Sequence, residues 1–173
     1  ALFTAGLATS AVAQAPAQPA AQPPMFATTK VEGTDNVHIF RYQNHQSIFV
    51  VTPAGVIVTD PISYGRPQAA KAYLDEIRKI TQAPIKYLVY SHHHYDHIAG
   101  GKVFKDAGAT VISHRHAKER LVTLKAPDVV IPDQVVDKQR TIKLGGTTLD
   151  LIYTGRNHSD SSIVMLLPKE KVL

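Results

Sequence analysis

No cysteine occurs among the 173 residues. That absence excludes a disulfide framework, a cysteine nucleophile and cysteine-ligated zinc within this chain. Long charge blocks are also missing. The 19 Lys and Arg are scattered, without interleaved aromatics or a nucleic-acid motif. The net charge of +5 therefore argues for a small, weakly anionic partner or substrate and against nucleic acid. No apolar run is long enough for a transmembrane helix in the mature chain, and no internal repeat is visible. With 44% apolar and 19% charged residues, the composition is that of a globular chain able to bury one core.

What is present falls into three stretches. Residues 1–15, ALFTAGLATSAVAQA, form an apolar run that closes on small residues at Ala11, Ala13 and Ala15. They read as the remnant of a secretory signal peptide, its h-region and cleavage zone, with the basic n-region upstream; this predicts a periplasmic or secreted protein. Residues 16–30 are read as a Pro/Ala/Gln-rich linker, because Pro removes backbone donors and favours extended chain. Residues 31–173 are the expected folded domain.

Within the domain, VHIFRY, SIFVVT and GVIVTD read as strands, with TPAG as a turn. In GRPQAAKAYLDEIRKI, Ala70, Leu74 and Ile77 recur at helical spacing. IKYLVYS is nearly all apolar, as suits a strand covered on both faces. AGGKVFKDAG and HAKERLVTLK read as helices on either side of the strand ATVISH. PDVVIPDQVVDKQ is irregular with one short strand. RTIKLGGTTLDLIYTG is a hairpin turning at Gly145-Gly146, and SSIVMLLPKEKVL supplies a further strand. This order predicts a layered α/β or α+β fold with helices outside a sheet.

The chemistry concentrates in SHHHYDHIAGG, Ser91 to Gly101, where four histidines and one aspartate fall within six positions. Imidazole and carboxylate suit zinc, and also iron or manganese. His92 and His94 are two apart at a strand end, so both point to one side and can share an ion; His93 points away. Asp96 and His97 follow where the chain turns into a helix, and there they can converge on a second ion. Two neighbouring ions would lower the pKa of a shared water and present hydroxide as a nucleophile. His158, in the loop TGRNHSDSS, is the candidate third ligand of the first ion. His114 and His116 are either further ligands or surface residues at a helix start. Asp60 is either a strand-ending turn residue or a carboxylate that fixes the tautomer of a ligand imidazole. Tyr64 and Tyr95 are candidates for substrate contact, with a solvent-facing loop position and a packing role as their respective alternatives.

The motif H-x-H-x-D-H, here His92, His94, Asp96 and His97, joins the strand GVIVTD ending at Asp60 and the loop Gly155-Arg156-Asn157-His158. Together they resemble the metallo-β-lactamase-fold superfamily of hydrolases over residues 31–173. The resemblance implies an α+β, four-layer αβ/βα sandwich of two mixed sheets with helices outside, this chain holding its N-terminal half to two-thirds. It implies one zinc on His92, His94 and His158 and a second held in part by Asp96 and His97. A bridging Asp and a later His that complete the second site are expected beyond Leu173. The implied activity is hydrolysis of a small molecule by metal-bound hydroxide, with Asp96 as the catalytic carboxylate that orients it. A β-lactamase, with the antibiotic resistance that entails, or a periplasmic lactone or ester hydrolase fits. The alternatives are an alkyl or aryl sulfatase or phosphodiesterase of the same fold, and a non-catalytic metal-binding module or inactive fragment.

Overall fold

The computed structural model describes residues 23–173. The signal-peptide stretch and the first part of the expected linker lie outside the described residues. Four antiparallel strands open the domain: β1 (Phe26–Lys30), β2 (Val37–Tyr42), β3 (His45–Thr52) and β4 (Gly55–Thr59). Strand β1 corrects the expected linker, because residues 26–30 are ordered on the sheet. Its sequence, FATTK, is β-prone, and the Phe26 ring stacks on Tyr42 across the strand pair, with centroids 6.0 Å apart. The upstream prolines had dominated the sequence pattern.

Helices then alternate with strands. Helix α1 (Ala69–Ile80) leads to β5 (Ile85–Val89), and α2 (Tyr95–Ile98) and α3 (Gly101–Asp106) lead to β6 (Thr110–His114). Helix α4 (Arg115–Leu124) leads to β7 (Gln134–Val136). Strands β4 to β7 are parallel neighbours, and the sheet order β1-β2-β3-β4-β5-β6-β7 follows the chain. Parallel crossovers are right-handed, so crossovers that always step the same way put their helices on one face. The other face is left for a second sheet, β10-β9-β8, built from β8 (Gln139–Leu144), β9 (Thr147–Tyr153) and β10 (Ile163–Leu166). The β8–β9 turn is the two-residue Gly145-Gly146, with φ of 52° and 86°, the left-handed pair that a tight hairpin requires.

The result is the expected α+β sandwich of two sheets with flanking helices. Strand alternation divides the core in two. Val56, Val58, Leu88 and Val111 face the helices, where Tyr73 of α1 stacks on Phe40 at 4.4 Å and meets Phe104 edge-on. Ile57, Val89 and Ile112 face the smaller sheet and pack with Ile142, Leu149, Leu151 and Ile163. Strand β5 is thus covered on both faces, as its apolar sequence predicts. Each fully buried aromatic or aliphatic side chain contributes about 1.5–3 kcal/mol by burial, and no helix among the described residues is long and apolar enough to cross a membrane.

Two stability predictions follow from this packing. Gly100 has φ of 88°, and a Cβ there would stand 2.6 Å from Ser63 and 2.9 Å from the Ala70 side chain. Gly100→Ala should lower the free energy of unfolding by about 1–3 kcal/mol, from strain plus overpacking; an unchanged urea midpoint contradicts this. His38 is buried against Phe49 with its Nδ1 unpaired, and burial is the main cause that lowers its pKa below the ordinary 6.5. The unfolded chain therefore takes up that proton first, and stability falls as pH drops below about 6.5. His38→Leu should flatten part of the loss between pH 7 and 5; an unaltered pH dependence of the urea midpoint would contradict it.

Candidate metal centre

The histidine motif leaves the carboxyl end of β5, beside the carboxyl end of β4, at the edge where parallel strands open onto loops. After Val89 the chain bends through Ser91–His93 and reaches His94, the N-cap residue of helix α2, with φ of −71° and ψ of 138°. The rings of His92 and His94 meet at this bend. The loop between β9 and β10 brings His158 over from the smaller sheet. One nitrogen from each of these three rings lies within 4.8 Å of the others. The rings stand nearly perpendicular in pairs, with centroids 4.6 Å (His92–His94), 5.1 Å (His92–His158) and 4.9 Å (His94–His158) apart. His93 turns the other way, and its Nδ1 is 2.8 Å from Ser161 Oγ.

The hydrogen bonds determine which nitrogen of His92 is free. Asp60 is buried at the end of β4, and its carboxylate can only accept. Ser91 donates to it twice, from the backbone N–H at 2.7 Å and from Oγ at 2.5 Å. Ser91 Oγ has then spent its proton and accepts from His92 Nδ1–H at 2.9 Å. His92 Nε2 is left with a lone pair, and it is buried without a hydrogen-bond partner. An orphaned buried acceptor is costly unless something fills the place. Burial, followed by the charge of neighbouring His97, pushes His92 down to about 4, so the ring is neutral at physiological pH. A neutral imidazole with an unpaired nitrogen aimed at two other imidazoles fits a divalent cation of the zinc type.

Asp60 also accepts from His97 Nδ1–H at 2.9 Å, and that hydrogen bond is the main cause that raises the pKa of His97. Asp60 thus bonds His97 directly and reaches His92 through Ser91. Asp96 lies beside this group, with Oδ2 3.6 Å from His97 Nε2. His45, at the start of β3, donates to Asp96 Oδ2 at 3.3 Å. Burial works to raise the Asp96 carboxyl, but the His45 hydrogen bond and the charge of His97 outweigh it and lower the pKa. Arg66 holds the backbone of the same turn, donating to the Asp96 carbonyl at 3.0 Å and to the Ile62 carbonyl at 2.8 Å. Ile62, a fully buried β-branched residue, sits at φ of 52°, and its N–H donates to the His97 carbonyl at 2.9 Å. That strained position is held by the contacts around it.

The other candidates are placed differently. His114 Nε2 bonds the Asp137 carbonyl and His116 Nδ1 bonds the Asp160 carbonyl, so among the described residues neither joins the three-histidine group. Tyr64 is exposed and packs near Tyr95, with centroids 6.1 Å apart; it borders a separate hollow with Gly65, Pro67 and Lys102. Sequence reasoning missed Ser91, His45, Arg66 and Ser161. Ser91 could have been found, since it directly precedes the first ligand candidate. His45 and Arg66 have no spacing signal and meet Asp96 only through the fold.

Known proteins share this fold. The family model of the metallo-beta-lactamase superfamily matches residues 42–173. A metallo-beta-lactamase type 2 of Elizabethkingia meningoseptica is 26% identical over 147 residues, covering 80% of this chain. The chain spans 57% of that relative's length. A hydroxyacylglutathione hydrolase of Pelagibacter ubique (strain HTCC1062) is 39% identical over 51 residues, 29% of this chain and 20% of the relative. Among solved structures, a metallo-beta-lactamase from Pontibacter korlensis superposes with a TM-score of 0.72 at 21% identity, covering 83% of this chain and 67% of that one. With the family model spanning most of its length, the three-histidine chain belongs to the metallo-beta-lactamase superfamily.

Proposed function

We propose that the protein is a zinc-dependent hydrolase of acyl-type bonds, with a β-lactam as the foremost substrate class and lactones, esters or thioesters beside it. The observation that carries this reading is the buried, unpaired His92 Nε2 facing His94 and His158. His92, His94 and His158 would hold the first cation. Asp96 and His97 would help to hold a second zinc. A cation held there supplies Lewis acidity, which polarises the electrophile and acidifies water.

The chain's own residues do the rest. Asp60 and Ser91 keep His92 in the Nδ1–H tautomer, so its Nε2 presents a lone pair. Asp60 does the same for His97. Asp96 has a lowered pKa and stays ionised at neutral pH. Steadied by His45, it accepts a hydrogen bond from the attacking water and orients it toward the electrophile. The similarity to the Elizabethkingia lactamase over 80% of the chain supports the acyl-type substrate, and the net charge of +5 favours an anionic one. A periplasmic or secreted site of action, consistent with a role in antibiotic resistance, completes the proposal.

Metal analysis together with a substrate panel tests it. The protein incubated with zinc is offered nitrocefin, a lactone, an aryl ester, an aryl sulfatase substrate and a phosphodiester. Turnover of the lactam, lactone or ester above the sulfate and phosphodiester is expected; metal bound without any turnover would support the binding-module alternative. His94→Ala should weaken zinc by more than about 100-fold, beyond the loss typical of outer-shell partners, and abolish nearly all turnover. Retention of one equivalent of tightly bound zinc in that variant would refute the ligand set.

A further inference from the structure

His158 is exposed, so its place among the ligands comes from the backbone that carries it. That backbone is gripped from two sides just past the ligand. On α4, His116 and Arg120 stand four residues apart, on one helix face. His116 Nδ1–H donates to the Asp160 carbonyl at 2.9 Å, and the Arg120 guanidinium forms a two-pronged ion pair with the Asp160 carboxylate. On the motif strand, His93 Nδ1 pairs with Ser161 Oγ at 2.8 Å, and Ser161 is fully buried. Ser159 closes the turn from within: its Oγ accepts from the Ser161 N–H, and its carbonyl accepts from the Asn157 N–H, both at 3.2 Å. Immediately beyond, the Ile163 N–H donates to the Ser91 carbonyl at 2.9 Å.

We propose that this double grip is a latch that sets the third ligand: Arg120 and His116 from one side and His93 from the other hold Asp160–Ser161, and so keep His158 at ligand distance from His92 and His94. The inference rests on the metal-centre reading and extends it to residues that touch no cation. It gives the central histidine of the H-H-H run a task that its outward direction would otherwise leave empty. The two neighbouring histidines point at the metal, and the one between them points at the loop that brings the third. It also explains why α4 follows β6 directly: the helix begins at Arg115, close enough for its first two turns to reach the loop. An exposed ion pair adds little to global stability, so the effect of Arg120 is expected to be local, on the loop and on the metal.

The test uses the whole chain and two readouts. Amide hydrogen exchange at Asn157 and Ser161 is followed in the metal-free protein, and zinc affinity is measured by competition with a chromophoric chelator. The variants are Arg120→Ala, Arg120→Lys and Ser161→Ala, each with a thermal midpoint. Arg120→Ala and Ser161→Ala should both speed exchange in the loop and weaken zinc by about tenfold, the scale seen for outer-shell partners. Arg120→Lys keeps the charge and should recover most of both effects, and the thermal midpoint of Arg120→Ala should stay at the wild-type value. Unaltered exchange in both Ala variants overturns the latch. So does zinc affinity that is unchanged, or that falls only in step with the thermal midpoint without rescue by Lys. A wild-type chain that takes up no zinc overturns the metal-centre reading instead, since loop exchange reports on the latch without metal.

Discussion

A buried carboxylate that can only accept hydrogen bonds governs this site. Asp60 ends a central strand with both oxygens away from water, and three donors converge on it: the Ser91 amide, the Ser91 hydroxyl and the His97 ring. Leaving such a group unpaired would cost far more than any one of these bonds contributes. The need to satisfy it therefore dictates where Ser91 spends its proton, and hence which nitrogen of His92 is free. The same need turns His97. A single residue outside the motif thus orders two of the motif's imidazoles.

The topology explains why those residues meet. Sequential parallel strands with crossovers of one hand place Asp60 and Ser91 at neighbouring strand ends, and they reserve the opposite face for the second sheet. His158 arrives from that second sheet, so the three-imidazole arrangement exists only while the two sheets are packed. The layer containing Ile57, Val89, Ile112, Leu149 and Leu151 is for that reason part of the site's geometry as well as of its stability.

Much of this was legible in the sequence. The apolar run before the histidines, the two-residue spacing of His92 and His94, and the double glycine of the β8–β9 turn each encode local geometry directly. His93 is expected to face away from His92 and His94, and its Nδ1 pairs with Ser161 Oγ. What alternation does not encode is the partner across the fold. His45 reaches Asp96 from 51 positions away, and Arg66 reaches it from 30. Asp60 allowed two readings until its neighbours were placed. The domain begins earlier than its sequence suggests, because the prolines before Phe26 mask a strand whose evidence lies in its cross-strand aromatic contacts.

The account stands on three imidazoles sharing one cation, and zinc-edge X-ray absorption on the chain loaded with a single equivalent reads that directly. The predicted first shell contains three imidazole nitrogens at about 2.0–2.1 Å, with the outer-ring scattering that identifies histidine. A shell of oxygen alone, or one with fewer than three imidazoles, would contradict it.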